Sequence, residues 1–76
     1  MKSKISNIYF IGIGGIGMSA IARYFKACDY NVAGYDRTRS EVCTNLEEEG
    51  IQVHYDDNLN LIGSYYKDKD TTLVIY

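Results

Sequence analysis

Four consecutive apolar residues, Ile8-Tyr9-Phe10-Ile11, follow a short polar lead, and such a run reads as a strand buried on both faces. Gly12-Ile13-Gly14-Gly15-Ile16-Gly17 interrupts it. From Ile16 the apolar positions recur at Ala20, Ile21, Tyr24, Phe25 and Cys28, the spacing of one face of an α-helix that Asp29-Tyr30-Asn31 ends. Val32-Ala33-Gly34-Tyr35 reads as a second strand closing on Asp36. Thr38 and Glu41 have the spacing of a capping box, which predicts a helix start at Thr38 with Val42 and Leu46 on one face. Gly50 stands where a helix-ending glycine belongs, although Glu47-Glu48-Glu49 suits a helix C-terminus poorly. Ile51-Gln52-Val53-His54 alternates as a third strand, and residues 71–76 read as a fourth. Between them, Asp56-Asp57-Asn58 reads as a loop or helix start, 59–66 is weakly patterned, and 67–70 reads as a solvated turn.

Strands alternating with helices imply parallel pairing through right-handed crossovers, hence an α/β, Rossmann-like three-layer fold. The final run, Thr72-Leu73-Val74-Ile75-Tyr76, has no polar tail. Residues 1–76 therefore read as one incomplete domain, interrupted at its fourth strand. An edge strand of that kind predicts self-association through the 71–76 side.

Composition narrows the function classes. Of 76 residues, 46% are hydrophobic and 24% charged, a balance that suits a water-soluble core-forming chain. The net charge of -2 gives no electrostatic footprint for nucleic acid. No apolar stretch is long enough to span a membrane, and the basic start lacks the pattern of a signal peptide. Cys28 and Cys43 lack the companions that a zinc site or disulfide framework requires, so free thiols are expected, and no metal site.

Candidate chemistry lies in the glycine run. Gly12, Gly14 and Gly17 form G-x-G-x-x-G, directly after a strand and directly into a helix, with Gly15 as a fourth glycine. In this pattern the first glycine permits the tight turn and the second admits a diphosphate close to the backbone. The third lets the helix pack near the strand. Unpaired N–H groups at the helix start attract the anion, so a chain without Lys or Arg in the turn can still hold phosphate. Asp36 follows Gly17 by 19 residues, at the second strand's tip, where a carboxylate accepts from ribose hydroxyls. The spacing alone leaves open a dinucleotide or another diphosphate. An NAD(P)-binding domain of an oxidoreductase or a nucleotide-sensing regulator is the alternative reading. A ligand-free interaction module is a third, suggested by eight tyrosines and an exposed Tyr65-Tyr66 pair.

The longer string Phe10-Ile11-Gly12-Ile13-Gly14-Gly15-Ile16-Gly17-Met18-Ser19-Ala20-Ile21-Ala22 resembles the opening of the bacterial Mur ligases, most closely the alanine-adding members. Gly34-Tyr35-Asp36 is similar to that family's G-S-D, and Leu46-Glu47-Glu48-Glu49-Gly50-Ile51 to its passage into the third strand. Met18-Ser19 is the most specific part, since dinucleotide-binding patterns are indifferent there. The resemblance implies an N-terminal domain that holds UDP-N-acetylmuramate, not a nicotinamide. It places the substrate at Gly12, Gly14, Gly15, Ile16, Gly17, Met18 and Ser19, with the amides of residues 14–18 around the diphosphate. Asp36 and Arg37 are placed near the uridine. The complete enzyme, a cytoplasmic ligase of peptidoglycan biosynthesis, would use ATP and magnesium to activate the muramyl carboxylate as an acyl phosphate and join it to L-alanine. No G-x-x-G-K-[ST] string is present, so these residues are expected to hold no catalytic group and to be inactive alone. Two departures stand out. Tyr35 replaces a small serine, and His54 precedes Asp56-Asp57 where Gly-His is usual, so His54 is expected to face a strand neighbour.

Overall fold

The computed structural model describes residues 5–55 and 71–76. Four strands and two helices follow one another as β1 (Asn7–Ile11), α1 (Ile16–Ala27), β2 (Asn31–Tyr35), α2 (Glu41–Glu48), β3 (Gln52–His54) and β4 (Thr72–Ile75). The sheet is parallel throughout, in the order β3-β2-β1-β4, with Asn7 opposite both Asn31 and Thr72, and Gly34 opposite Val53. The expected α/β, Rossmann-like architecture is therefore present. Strand order reverses beside β1, and open parallel sheets bind ligands at the carboxyl ends of strands flanking such a reversal. The expected readings of 56–58, 59–66, Tyr65-Tyr66 and 67–70 lie outside the described residues.

Ile8, Phe10, Val32 and Val53 form a buried cluster with Ala22 of α1 and Cys43 and Leu46 of α2. Ile13 and Ile51 complete it from the connecting loops. The alternate positions Tyr9 and Ala33 are buried but lie outside that cluster, as period-two strands require. This is why β1 reads as a continuous apolar run. Asn7 is a buried polar exception that fastens the sheet's other end. Its Oδ1 accepts from Asn31 Nδ2 at 2.8 Å, and its Nδ2 faces Thr71 and Thr72 Oγ1 at 3.4 Å.

The face expected for α1 is not the one it buries. Ile16, Ile21 and Tyr24 are 88%, 43% and 65% exposed, and Ala20 and Cys28 are exposed too. Ser19 and Ala22 are buried instead, with Met18 and Phe25 packed partly against the core. Small side chains let the helix settle close to the sheet, while Ile8, Phe10 and Ile13 supply the bulk. An apolar count does not register that economy of volume. Of the expected face, only Phe25 packs inward; its ring lies 6.4 Å from Phe10.

Both helices end the same way. In α1 the Tyr30 N–H donates to the Phe25 carbonyl and the Asp29 N–H to Lys26, while Asp29 adopts φ +68°. In α2 the Ile51 N–H donates to Leu46 and the Gly50 N–H to Glu47, with Gly50 at φ +93°. These are Schellman closures, each with its apolar clasp: Tyr30 against Phe25 at 5.2 Å, and buried Ile51 with buried Leu46. Gly50 therefore ends α2 as expected, despite the acidic triplet.

The start of α2 departs from expectation. Ser40, not Thr38, is the N-cap, and its Oγ accepts the Cys43 N–H at 3.2 Å. Thr38 lies in the preceding loop because its own N–H donates to Asp36 Oδ1 at 3.0 Å. A carboxylate two residues upstream thus makes an Asx-type turn that delays the helix. Arg23 of α1 pairs with Glu49 at 2.9 Å, an exposed contact that solvent screens. No helix of the described residues is long and apolar enough to cross a membrane.

Candidate functional site

The glycine run forms the turn between β1 and α1. Gly12 adopts φ +83°, which a side chain would strain, so the first glycine does make the tight turn. The N–H groups of Gly12 and Ile13 both donate to the Tyr35 carbonyl, at 2.8 and 3.1 Å. That double capture folds Ile13 inward, where it is fully buried. Gly34 makes room for it: an added Cβ there would lie 2.6 Å from Ile13 Cδ1 and 2.8 Å from the Phe10 carbonyl oxygen.

Gly14 admits protein atoms. A Cβ on it would meet Cys43 Sγ at 2.7 Å and Asp36 Oδ2 at 2.8 Å, and its N–H donates to that same oxygen at 2.8 Å. Gly15 donates to the Gly12 carbonyl at 3.1 Å and serves as N-cap of α1 without a side-chain cap. Among the described residues the N–H groups of Ile16, Gly17 and Met18 have no acceptor, as a helix start dictates, and no acidic residue stands in that first turn. Gly17 corrects the spacing argument. A Cβ there would find nothing within 4 Å, so this glycine is not needed for helix-to-strand packing; Ser19 and Ala22 provide that.

Residues 12–19 are thus contiguous, and Asp36 is brought to them by its bond to Gly14. Ser19 is buried, and its hydroxyl donates to the Ile16 carbonyl at 3.0 Å. Met18 packs partly against the core, and Arg37 is exposed beside Asp36. Two participants were missed in the sequence, Cys43 and Gly34. Their signal was the absence of any larger residue opposite the turn, which only the folded register reveals.

His54 faces strand neighbours, as expected. Its Nε2 lies 2.5 Å from the Tyr9 hydroxyl, and its ring lies 5.9 Å from that of Tyr35. Burial foremost, and then the neighbouring Tyr35, push the Tyr9 phenol up to about 12. Beyond β3, burial and a hydrogen bond to Glu47 likewise push Tyr55 up to about 12, with Arg39 stacked over its ring at 4.3 Å. Among the described residues no group of three or more His, Cys, Asp or Glu could hold a metal ion.

A parallel α/β sheet with a glycine-rich turn leading into the first helix, beside a reversal of strand order, defines a Rossmann-like protein. A family model described as "Mur ligase family, catalytic domain" matches residues 7–74, and the chain belongs to the Mur ligase family. Its relatives include proteins named UDP-N-acetylmuramate–L-alanine ligase. It is 50% identical over 74 residues to that of Parabacteroides distasonis, 55% over 74 to that of Flavobacterium johnsoniae and 53% over 74 to that of Cytophaga hutchinsonii. Each alignment covers 97% of this chain and 16% of the relative, so the chain spans about a sixth of their length.

Proposed function

We propose that this chain is the diphosphate-holding part of a UDP-N-acetylmuramate–L-alanine ligase. The observation that carries the reading is the first turn of α1. Among the described residues three N–H groups, on Ile16, Gly17 and Met18, have no acceptor, and nothing lies within 4 Å of where a Gly17 Cβ would stand. Glycine inside a helix costs about 1 kcal/mol relative to alanine, and no protein neighbour requires it here. A ligand approaching the backbone supplies the reason. The names of the relatives support UDP-N-acetylmuramate as that ligand, whose diphosphate would sit on these amides with its uridine on the Arg37 side.

The complete ligase would join L-alanine to that substrate at the expense of ATP. The described residues do not fit a triphosphate with magnesium: the turn has no lysine, and among the described residues no acidic cluster adjoins its free amides. Activation of the carboxylate is therefore assigned to none of the described residues, and the chain alone is expected to bind without catalysing.

Calorimetry with UDP-N-acetylmuramate and NADH in parallel tests the reading. Binding of the sugar nucleotide with amide shifts centred on Ile16, Gly17 and Met18 is the expected result. Binding of NADH alone would replace it with the dinucleotide alternative.

A further inference from the structure

We propose that Asp36 is a positioning residue for the diphosphate, acting through the backbone of the glycine-rich turn and not through contact with the nucleoside. The proposal rests on the reading of this turn as the diphosphate site. Both carboxylate oxygens are engaged by the protein itself, Oδ2 by the Gly14 N–H at 2.8 Å and Oδ1 by the Thr38 N–H at 3.0 Å. One side chain thereby ties the turn after β1 to the loop that leads into α2.

The bond to Gly14 completes a pattern. Gly12 and Ile13 donate to the Tyr35 carbonyl, Gly14 to Asp36, and Gly15 back to Gly12. All four N–H groups of the turn are held, three of them by residues 35 and 36. The next three, on Ile16, Gly17 and Met18, are the ones left for an anion. Four glycines among residues 12–17 would otherwise leave this segment with wide backbone freedom, and freedom lost on binding subtracts from affinity. A charge-assisted hydrogen bond is a strong way to remove it beforehand.

The packing is built for this contact. Gly14 could not carry a Cβ without striking both Asp36 Oδ2 and Cys43 Sγ, so turn, carboxylate and α2 interlock. The arrangement also bears on charge. A bare carboxylate near a phosphate site would repel the ligand, whereas one that accepts two N–H bonds has its charge partly compensated by those dipoles.

The test compares inorganic diphosphate with UDP as probes, against the unaltered chain, Asp36→Asn and Asp36→Ala, with amide hydrogen exchange followed by NMR. The expected result is a loss of affinity by the same factor for both probes, about tenfold for Asp36→Ala, the size of one hydrogen bond to a charged group. Asp36→Asn keeps one acceptor oxygen and should recover part of that loss. In both variants the Gly14 and Thr38 amides should exchange faster, while Tyr9 and Ala33 in β1 and β2 stay protected. A general weakening of the fold would release those strand amides as well, and would overturn the proposal. A loss confined to UDP would overturn it too, assigning Asp36 to the nucleoside. In the unaltered chain, open-loop exchange at Gly14 would remove the latch whether or not either variant folds. If the unaltered chain binds neither probe while Gly14 stays protected, the diphosphate reading fails, and the ligand role of Asp36 fails with it.

Discussion

Glycine plays four separate roles at four positions around the turn, and each predicts a different mutant. Gly12 holds a left-handed backbone, Gly14 admits Asp36 and Cys43, Gly34 admits Ile13, and Gly17 leaves space empty. Gly17→Ala should therefore raise the melting temperature, by up to about 1 kcal/mol of stability, while weakening UDP-N-acetylmuramate binding. Stability and affinity moving in opposite directions marks a glycine kept for a ligand; an equal loss of both would contradict that role. Gly34→Ala should only destabilise. Ile13 Cβ at 2.8 Å and the Phe10 carbonyl oxygen at 2.8 Å cannot withdraw as a flexible chain end could, so about 1–3 kcal/mol is expected in urea unfolding. Gly12, Gly14 and Gly17 were legible from spacing alone. The reason for Gly12, the tight turn, was legible too; those for Gly14 and Gly17 were not, because what a missing Cβ would strike depends on β2 and α2, which the chain brings back some 20 residues later.

At the scale of elements, helix ends are where local chemistry and observed structure meet most closely. Gly50 was readable because a left-handed residue after a helix is most often glycine. The equivalent site after α1 was masked by Asp29, which holds φ +68° with a side chain. Asp29→Gly should therefore stabilise the chain by roughly 0.5–1 kcal/mol in thermal melts, by relieving that backbone strain. The start of α2 gives a paired test. Ser40→Ala should cost about 1 kcal/mol, since Ser40 Oγ caps the Cys43 N–H, whereas Thr38→Ala should cost little because only its backbone is engaged. Thr38 and Glu41 have the right spacing for a capping box, yet Asp36 captures the Thr38 N–H first. A local motif lost to a competing local hydrogen bond, made by the same carboxylate that accepts the Gly14 N–H.

For the molecule as a whole, the parallel sheet buries the Tyr9 phenol on one face and the compact core on the other, with Tyr55 packed against the edge of that core. Tyr9 and Tyr55 both hold their protons to about pH 12. In the unfolded chain a phenol ionises near 10. A raised folded-state value means that the contribution to stability is intact below pH 10 and is lost as pH rises toward 12. Melting temperatures should hold steady to pH 10 and fall steeply beyond it, and Tyr9→Phe should make that alkaline fall shallower. Absorbance of ionised tyrosine at 295 nm, followed through the same range, checks that Tyr9 titrates with unfolding.

The alternation of strands and helices, the parallel architecture and the position of the glycine turn were determined by the sequence, because period, breakers and crossover length are properties of short windows. The string through Met18-Ser19 also marked the family. Which face of α1 is buried, why Gly17 is glycine and where the Asp36 carboxylate is directed were decided only by the tertiary structure. Those depend on distances between segments remote in the chain: Ser19 and Ala22 are buried because the sheet brings its own bulk, and Asp36 bonds Gly14 because β1 and β2 lie side by side in register. A one-dimensional pattern records the size and polarity of each residue, and the volume already filled by a neighbour exists only after folding.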